Sequence, residues 1–128
     1  IARVGRAGKS GVTAVMRDAP IDEMIEFALE ELLAGDDGRR RALVRQMCLR
    51  WPAAPALSVV FAITSAASMI EDNLSRDDAT DRLRALACKL AAVLAADTYA
   101  VERLGHNPAR ARDLMHFWRR VDPYFLEL

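Results

Sequence analysis

WPAAPALSVVFAITSAASMI, residues 51–70, carries no charged side chain, although 28% of the 128-residue chain is charged. A helix that is apolar on every side is either covered by other helices or set in a membrane. Pro52 and Pro55 move the start of such a helix to about residue 55, because proline fits a first turn and not an interior. Residues 55–70 fall short of the roughly 20 that a membrane span needs, and Ser58, Thr64, Ser65 and Ser68 add hydroxyls. The stretch reads as the buried central helix of a helical bundle that makes no membrane contact. Ser58, Ser65 and Ser68 are each expected to donate back to a carbonyl one turn earlier, which makes their burial tolerable.

The flanking sequence supplies the cover. Asp18 and Pro20 precede an acidic first turn and Gly35 follows Ala34, predicting a helix over 20–34 with Ile21, Ile25, Ala28, Leu29 and Leu32 on its buried side. Gly35-Asp36-Asp37-Gly38 reads as a turn. Leu43, Val44, Met47, Cys48 and Trp51 then share one side of a second helix that Pro52 stops. After the uncharged helix, Asn73 or Ser75 is expected to open a long fourth helix over about 76–104. Asp77, Asp78 and Asp81 lie near its positive end, and Gly105 closes it. Asn107-Pro108 reads as a cap and first helical position of a fifth helix that runs to about Val121. No useful period-2 alternation occurs. The expected fold is therefore all-α: one domain over residues 18–128, an up-and-down bundle of about five helices, preceded by a basic arm over 1–17.

Eighteen basic and eighteen acidic residues cancel, so net charge gives no bulk attraction to nucleic acid or anionic membrane. The charges are segregated along the chain: residues 1–17 hold only basic ones, 18–37 only acidic ones and 38–50 only arginines. That pattern implies oppositely charged faces on neighbouring helices. Cys48 and Cys88 form no metal-binding or disulfide spacing, which fits a reducing cytoplasm. Sixteen arginines against two lysines hint at a GC-rich bacterial genome.

The fourth helix holds the most informative residues. At about 100° per residue, Leu83, Leu86, Leu90, Leu94, Val101 and Leu104 form an apolar stripe, and Asp97 falls inside it. A buried carboxylate must pair, accept hydrogen bonds or bind its proton more tightly. A structural ion pair with an arginine from a neighbouring helix is the plain expectation; a ligand-binding or catalytic carboxylate is the functional one. On the other side, Ala85, Cys88, Ala92, Ala95, Ala96 and Tyr99 make a second stripe of mostly small residues. A helix apolar on two sides lies between two layers, which suggests a seam against a second copy of the chain.

The fifth helix is expected to bury Ala111, Leu114, Met115, Trp118 and Val121, leaving Arg112, His116, Arg119 and Arg120 outside as a solvated basic face or an anion site. Asp113 and His116 have the acid-x-x-His spacing of di-iron bundles, but His106 lies in a turn with no matching acid, so no metal is expected. Gly8-Lys9-Ser10 resembles the end of a phosphate-binding loop without its first glycine or preceding strand. Residues 20–51 mimic a helix-turn-helix, with Arg39, Arg40, Arg41 and Arg45 as its nucleic-acid contacts. The acidic first helix opposes that reading. Phe27 lies among those acids, placed to meet the basic arm or a partner.

No catalytic motif and no cofactor-binding motif is present. The sequence therefore points to a small helical interaction or regulatory module, homodimeric and with a further protein partner. A nucleic-acid-binding regulator and a ligand-binding or enzymatic bundle are the alternatives. The last would draw on Asp97, Tyr99, His116, Arg112, Arg119 and Arg120.

Overall fold

The computed structural model describes residues 20–128, and among them the chain forms six helices and no strand. These are α1 (Ile21–Leu33), α2 (Asp37–Arg50), α3 (Ala56–Asn73), α4 (Asp78–Arg103), α5 (Ala111–Arg120) and the short α6 (Tyr124–Glu127). The all-α expectation is met with one helix more than the pattern implied. The basic arm, Asp18 and Gly8-Lys9-Ser10 lie outside the described residues. No helix among those residues is long and apolar enough to cross a membrane.

Local chemistry explains most boundaries. Gly35 follows α1 with φ of 77°, a left-handed conformation that a side chain would strain. The expected four-residue turn shrinks, because Asp36 caps α2 by accepting from the Arg39 amide at 3.1 Å, so that Asp37 and Gly38 are already helical. Asp77 does the same for α4, taking the Thr80 amide at 2.7 Å, and so is its cap rather than a first-turn acid. The backbone N–H of Thr80 holds the Asp77 carboxyl below the usual carboxylate range. Gly105, at φ 109°, lets the chain leave α4.

The start of α5 differs most from expectation. Pro108 is not its first residue; the helix begins at Ala111 with Arg110 as cap, and the Arg110 amide donates to Asp113 Oδ2 at 2.9 Å. Arg110 is extended and pairs with Pro55, at the end of the turn before α3. The Ala56 amide donates to the Ala109 carbonyl and the Ala111 amide to that of Ala54, each at 2.8 Å. The Arg112 amide reaches the Pro52 carbonyl at 2.9 Å, and Arg110 Nη1 donates to the Ala53 carbonyl at 2.6 Å.

Helices α3 and α4 pack along their length as a hairpin. α1 covers one flank of α3, while α2 lies against α1, α5 and α6. Met24, Ala28, Leu32, Leu43, Met47, Ile63, Leu90, Leu94 and Leu114 are buried in one continuous core. At about 25 cal/mol per Å² of apolar surface, this burial is the main stabilising term. Phe125 of α6 is also buried, its ring centroid 5.0 Å from that of Trp118. Pro123 and Tyr124 gave no periodic signal over four residues, so this helix was invisible in the pattern.

The uncharged stretch, residues 56–70 of α3 ahead of Glu71 and Asp72, is central, but its cover is one-sided. Ala56, Val59, Ala62, Ile63, Ala66, Ala67 and Ile70 are buried, whereas Leu57 is 62% exposed, Thr64 and Ser68 are exposed, and Val60 and Phe61 are half-buried. The expectation of no solvated side is corrected on this point. Helix α3 touches α1 and α4 mainly, and two neighbours cannot surround a cylinder. The serine expectation changes as well. Ser58 Oγ is buried with no hydrogen-bond partner among the described residues, because the carbonyl one turn earlier, that of Ala54, is turned toward the Ala111 amide. Thr64 of α3 does bond back, to the Val60 carbonyl at 2.8 Å, as does Asn73, whose Nδ2 donates to the Met69 carbonyl at 2.9 Å.

Candidate functional site

Asp97 is buried as its place in the leucine stripe required, but no arginine among the described residues meets it. Trp118 of α5 donates its indole N–H to Asp97 Oδ2 at 2.9 Å, which replaces the expected ion pair. Burial pushes the Asp97 carboxyl above the usual carboxylate range; the Trp118 hydrogen bond offsets part of this, and the Asp122 charge adds to it. Tyr99 does not share this environment: it is 66% exposed on the other side of α4. The sequence grouped Asp97 and Tyr99 as one ligand set, and the structure separates them.

His116 and Arg120, one turn apart on α5, line a cavity of about 220 Å³ whose walls are Val101 of α4, Phe117 of α5, and Leu104 and Val121, the residues that directly follow those two helices. His106 and Asp113 complete it. His106 does have an acid: its Nδ1 lies 3.7 Å from Asp113 Oδ1, an ion pair when the imidazole is protonated. Sequence spacing missed this pair because the turn after Gly105 folds back onto the first turn of α5. Arg112 and Arg119 are exposed and do not line the cavity. Phe117 is buried where Val121 was expected; Val121 is 63% exposed, as it follows the last turn of α5. Among the described residues no three His, Cys, Asp or Glu side chains are close enough together to hold a metal ion.

The arginines of α2 are largely engaged within the chain. Arg39 forms an ion pair with Glu31 of α1, with Nε donating to Oε1 at 3.1 Å, and the Glu31 carboxylate holds the guanidinium above its ordinary pKa. Arg40 Nε donates to the Leu32 carbonyl at 2.9 Å, and Arg45 Nη1 to that of Phe125 at 3.2 Å. Arg41 is exposed and makes no such contact among the described residues. The segregated charges thus meet at the α1–α2 turn. Phe27 is half-buried rather than free: its ring meets Trp51 edge-on at 5.7 Å, and the Arg50 guanidinium lies over both, 5.4 Å from Phe27 and 5.0 Å from Trp51.

The small-residue stripe of α4 is uncovered throughout. Ala85, Cys88, Ala92, Ala95, Ala96 and Tyr99 are all exposed. A shallow groove of about 300 Å³ runs beside them, with Val60 and Thr64 of α3 on one wall and Cys88, Ala91, Ala92 and Ala95 of α4 on the other. Leu57 and Phe61 occupy the same side of α3 as Val60 and Thr64, one helical turn apart. The two exposed apolar faces are therefore one surface. Comparison with protein-family models, with curated proteins and with solved structures found no match to this chain.

Proposed function

We propose that this chain is a small helical interaction module that works as a homodimer, joined through the outer face of the α3–α4 hairpin. The supporting observation is the charge-free stretch of α3, residues 56–70, about half of whose surface, including Leu57, Val60 and Phe61, is left at least partly open beside the alanines of α4. Contiguous apolar surface of this kind marks an interaction site. A second copy is the occupant that suits it. The ridge residues Leu57 and Tyr99 stand beside a groove floored by Ala91, Ala92 and Ala95, so a two-fold axis would place the ridge of each copy over the groove of the other. Residues 56–70 of α3 bring no charge to this face that would select a charged partner. Alanines allow the helix axes to approach closely.

Sedimentation equilibrium tests this directly. At micromolar concentration the chain is expected at twice its 14.2 kDa protomer mass, and Ala92→Arg at the single mass with an unchanged circular dichroism spectrum. A wild-type chain that stays at the single mass, or an Ala92→Arg chain that stays at the double mass, overturns the reading.

A further inference from the structure

The cavity between the end of α4 and α5 combines apolar walls with a cationic rim, and we propose that it binds a small monocarboxylate with a compact apolar body. The chain has only two histidines, and both line this one cavity together with Arg120 and Asp113. Asp113 is already committed: one carboxylate oxygen accepts the Arg110 amide at 2.9 Å and the other faces His106 Nδ1 at 3.7 Å. His106 is thereby balanced, which leaves the Arg120 guanidinium and the His116 ring as the groups that can receive an anion. A guanidinium presents paired N–H donors that match both oxygens of a carboxylate.

The remainder of the ligand is set by the walls. Val101 and Phe117 form the buried floor, while Leu104 and Val121 are 65% and 63% exposed at the mouth, with nothing among the described residues covering them. Apolar walls around a few convergent polar groups are the usual make-up of a small-molecule site. At about 220 Å³ the cavity lies below the roughly 300–1,000 Å³ of drug-sized pockets, so the ligand has the size of one ring or a short chain. A dicarboxylate would bring a second anion to apolar walls and to Asp113, and is rejected for that reason. This site is independent of the α3–α4 face, and its occupancy does not require dimerisation.

Benzoate is the probe, with benzamide as its neutral counterpart. In a nuclear magnetic resonance titration of the full chain, benzoate is expected to shift the signals of Val101, Leu104, Phe117 and Val121 saturably. Benzamide at equal concentration is expected to leave them in place. Arg120→Gln should weaken benzoate binding by about tenfold or more, since a charge-assisted hydrogen bond is lost. Arg119→Gln, one residue away but outside the cavity, should leave it unchanged. No saturable shift, equal response to benzamide, or equal weakening by both substitutions overturns the proposal. Because both variants change exposed arginines, an unaltered amide spectrum away from α5 verifies that each is folded.

Discussion

The two sides of α4 are both apolar and have opposite fates. On the inner side Leu83, Ala87, Leu90, Leu94 and Val101 are buried against the bundle and even Asp97 is enclosed; on the outer side Ala85, Cys88, Ala92, Ala95 and Ala96 are exposed. Periodicity identifies an apolar side but does not say whether anything lies on it. Side-chain volume supplies part of the missing information. Leucines fill the space between α3, α4 and α5, whereas each alanine exposes so little apolar area that solvation costs little at about 25 cal/mol per Å². A small-residue side can therefore stay open until a partner arrives.

The largest test of this contrast truncates one residue on each side. Leu94→Ala is expected to destabilise the chain by about 2–5 kcal/mol in denaturant unfolding. Tyr99→Ala should stay within about 0.5 kcal/mol for the protomer while weakening self-association. Equal losses would mean that the outer side is covered after all. Next comes the polar contact of the inner side. Trp118→Phe removes the donor and leaves Asp97 buried without it, at a cost of about 1–3 kcal/mol in the same measurement.

A smaller effect is expected from pH. The folded Asp97 carboxyl binds its proton more tightly than the unfolded one, whose ordinary pKa is about 3.9. Between that value and its raised folded value the native state carries more protons, so its contribution to stability falls as pH rises and levels off above. Asp97→Asn keeps an acceptor for the indole N–H and has no proton to bind. Unfolding curves of the two chains should diverge in favour of the variant as pH rises from about 4; parallel curves would mean that Asp97 is solvated in the fold. The last test leaves stability untouched. Cys48, whose thiol burial pushes up to about 12, should resist a thiol reagent until unfolding, while the exposed Cys88 reacts at once. Protection of Cys88 at high protein concentration would sharpen the contrast by placing it under a second copy.

Helix existence was legible wherever a stripe coincided with a cap, as at Gly35, Pro55 and Gly105. The buried position of Asp97 followed from angle alone. Its partner did not, because Trp118 reaches it from a helix whose orientation depends on the pairing of residues 52–56 with 109–112. The same pairing delayed α5 by three residues past Pro108 and brought His106 onto Asp113. Four-residue α6 carries too few positions for a period, and Phe125 could be recognised as core only by its contact with Trp118.

The backbone pairing of residues 52–56 with 109–112 also governs how the molecule can come apart. It ties the entrance of the α3–α4 hairpin to its exit, so the hairpin and its two flanking turns form a closed ring of chain fastened at Ala54–Ala111 and Ala56–Ala109. Fraying of α3 or α4 from their shared turn leaves this clasp intact. Amide hydrogens of Ala56, Ala111 and Arg112 should then exchange with solvent only through global opening, making them the slowest reporters of the unfolding free energy although they lie at helix starts, where protection is ordinarily weakest.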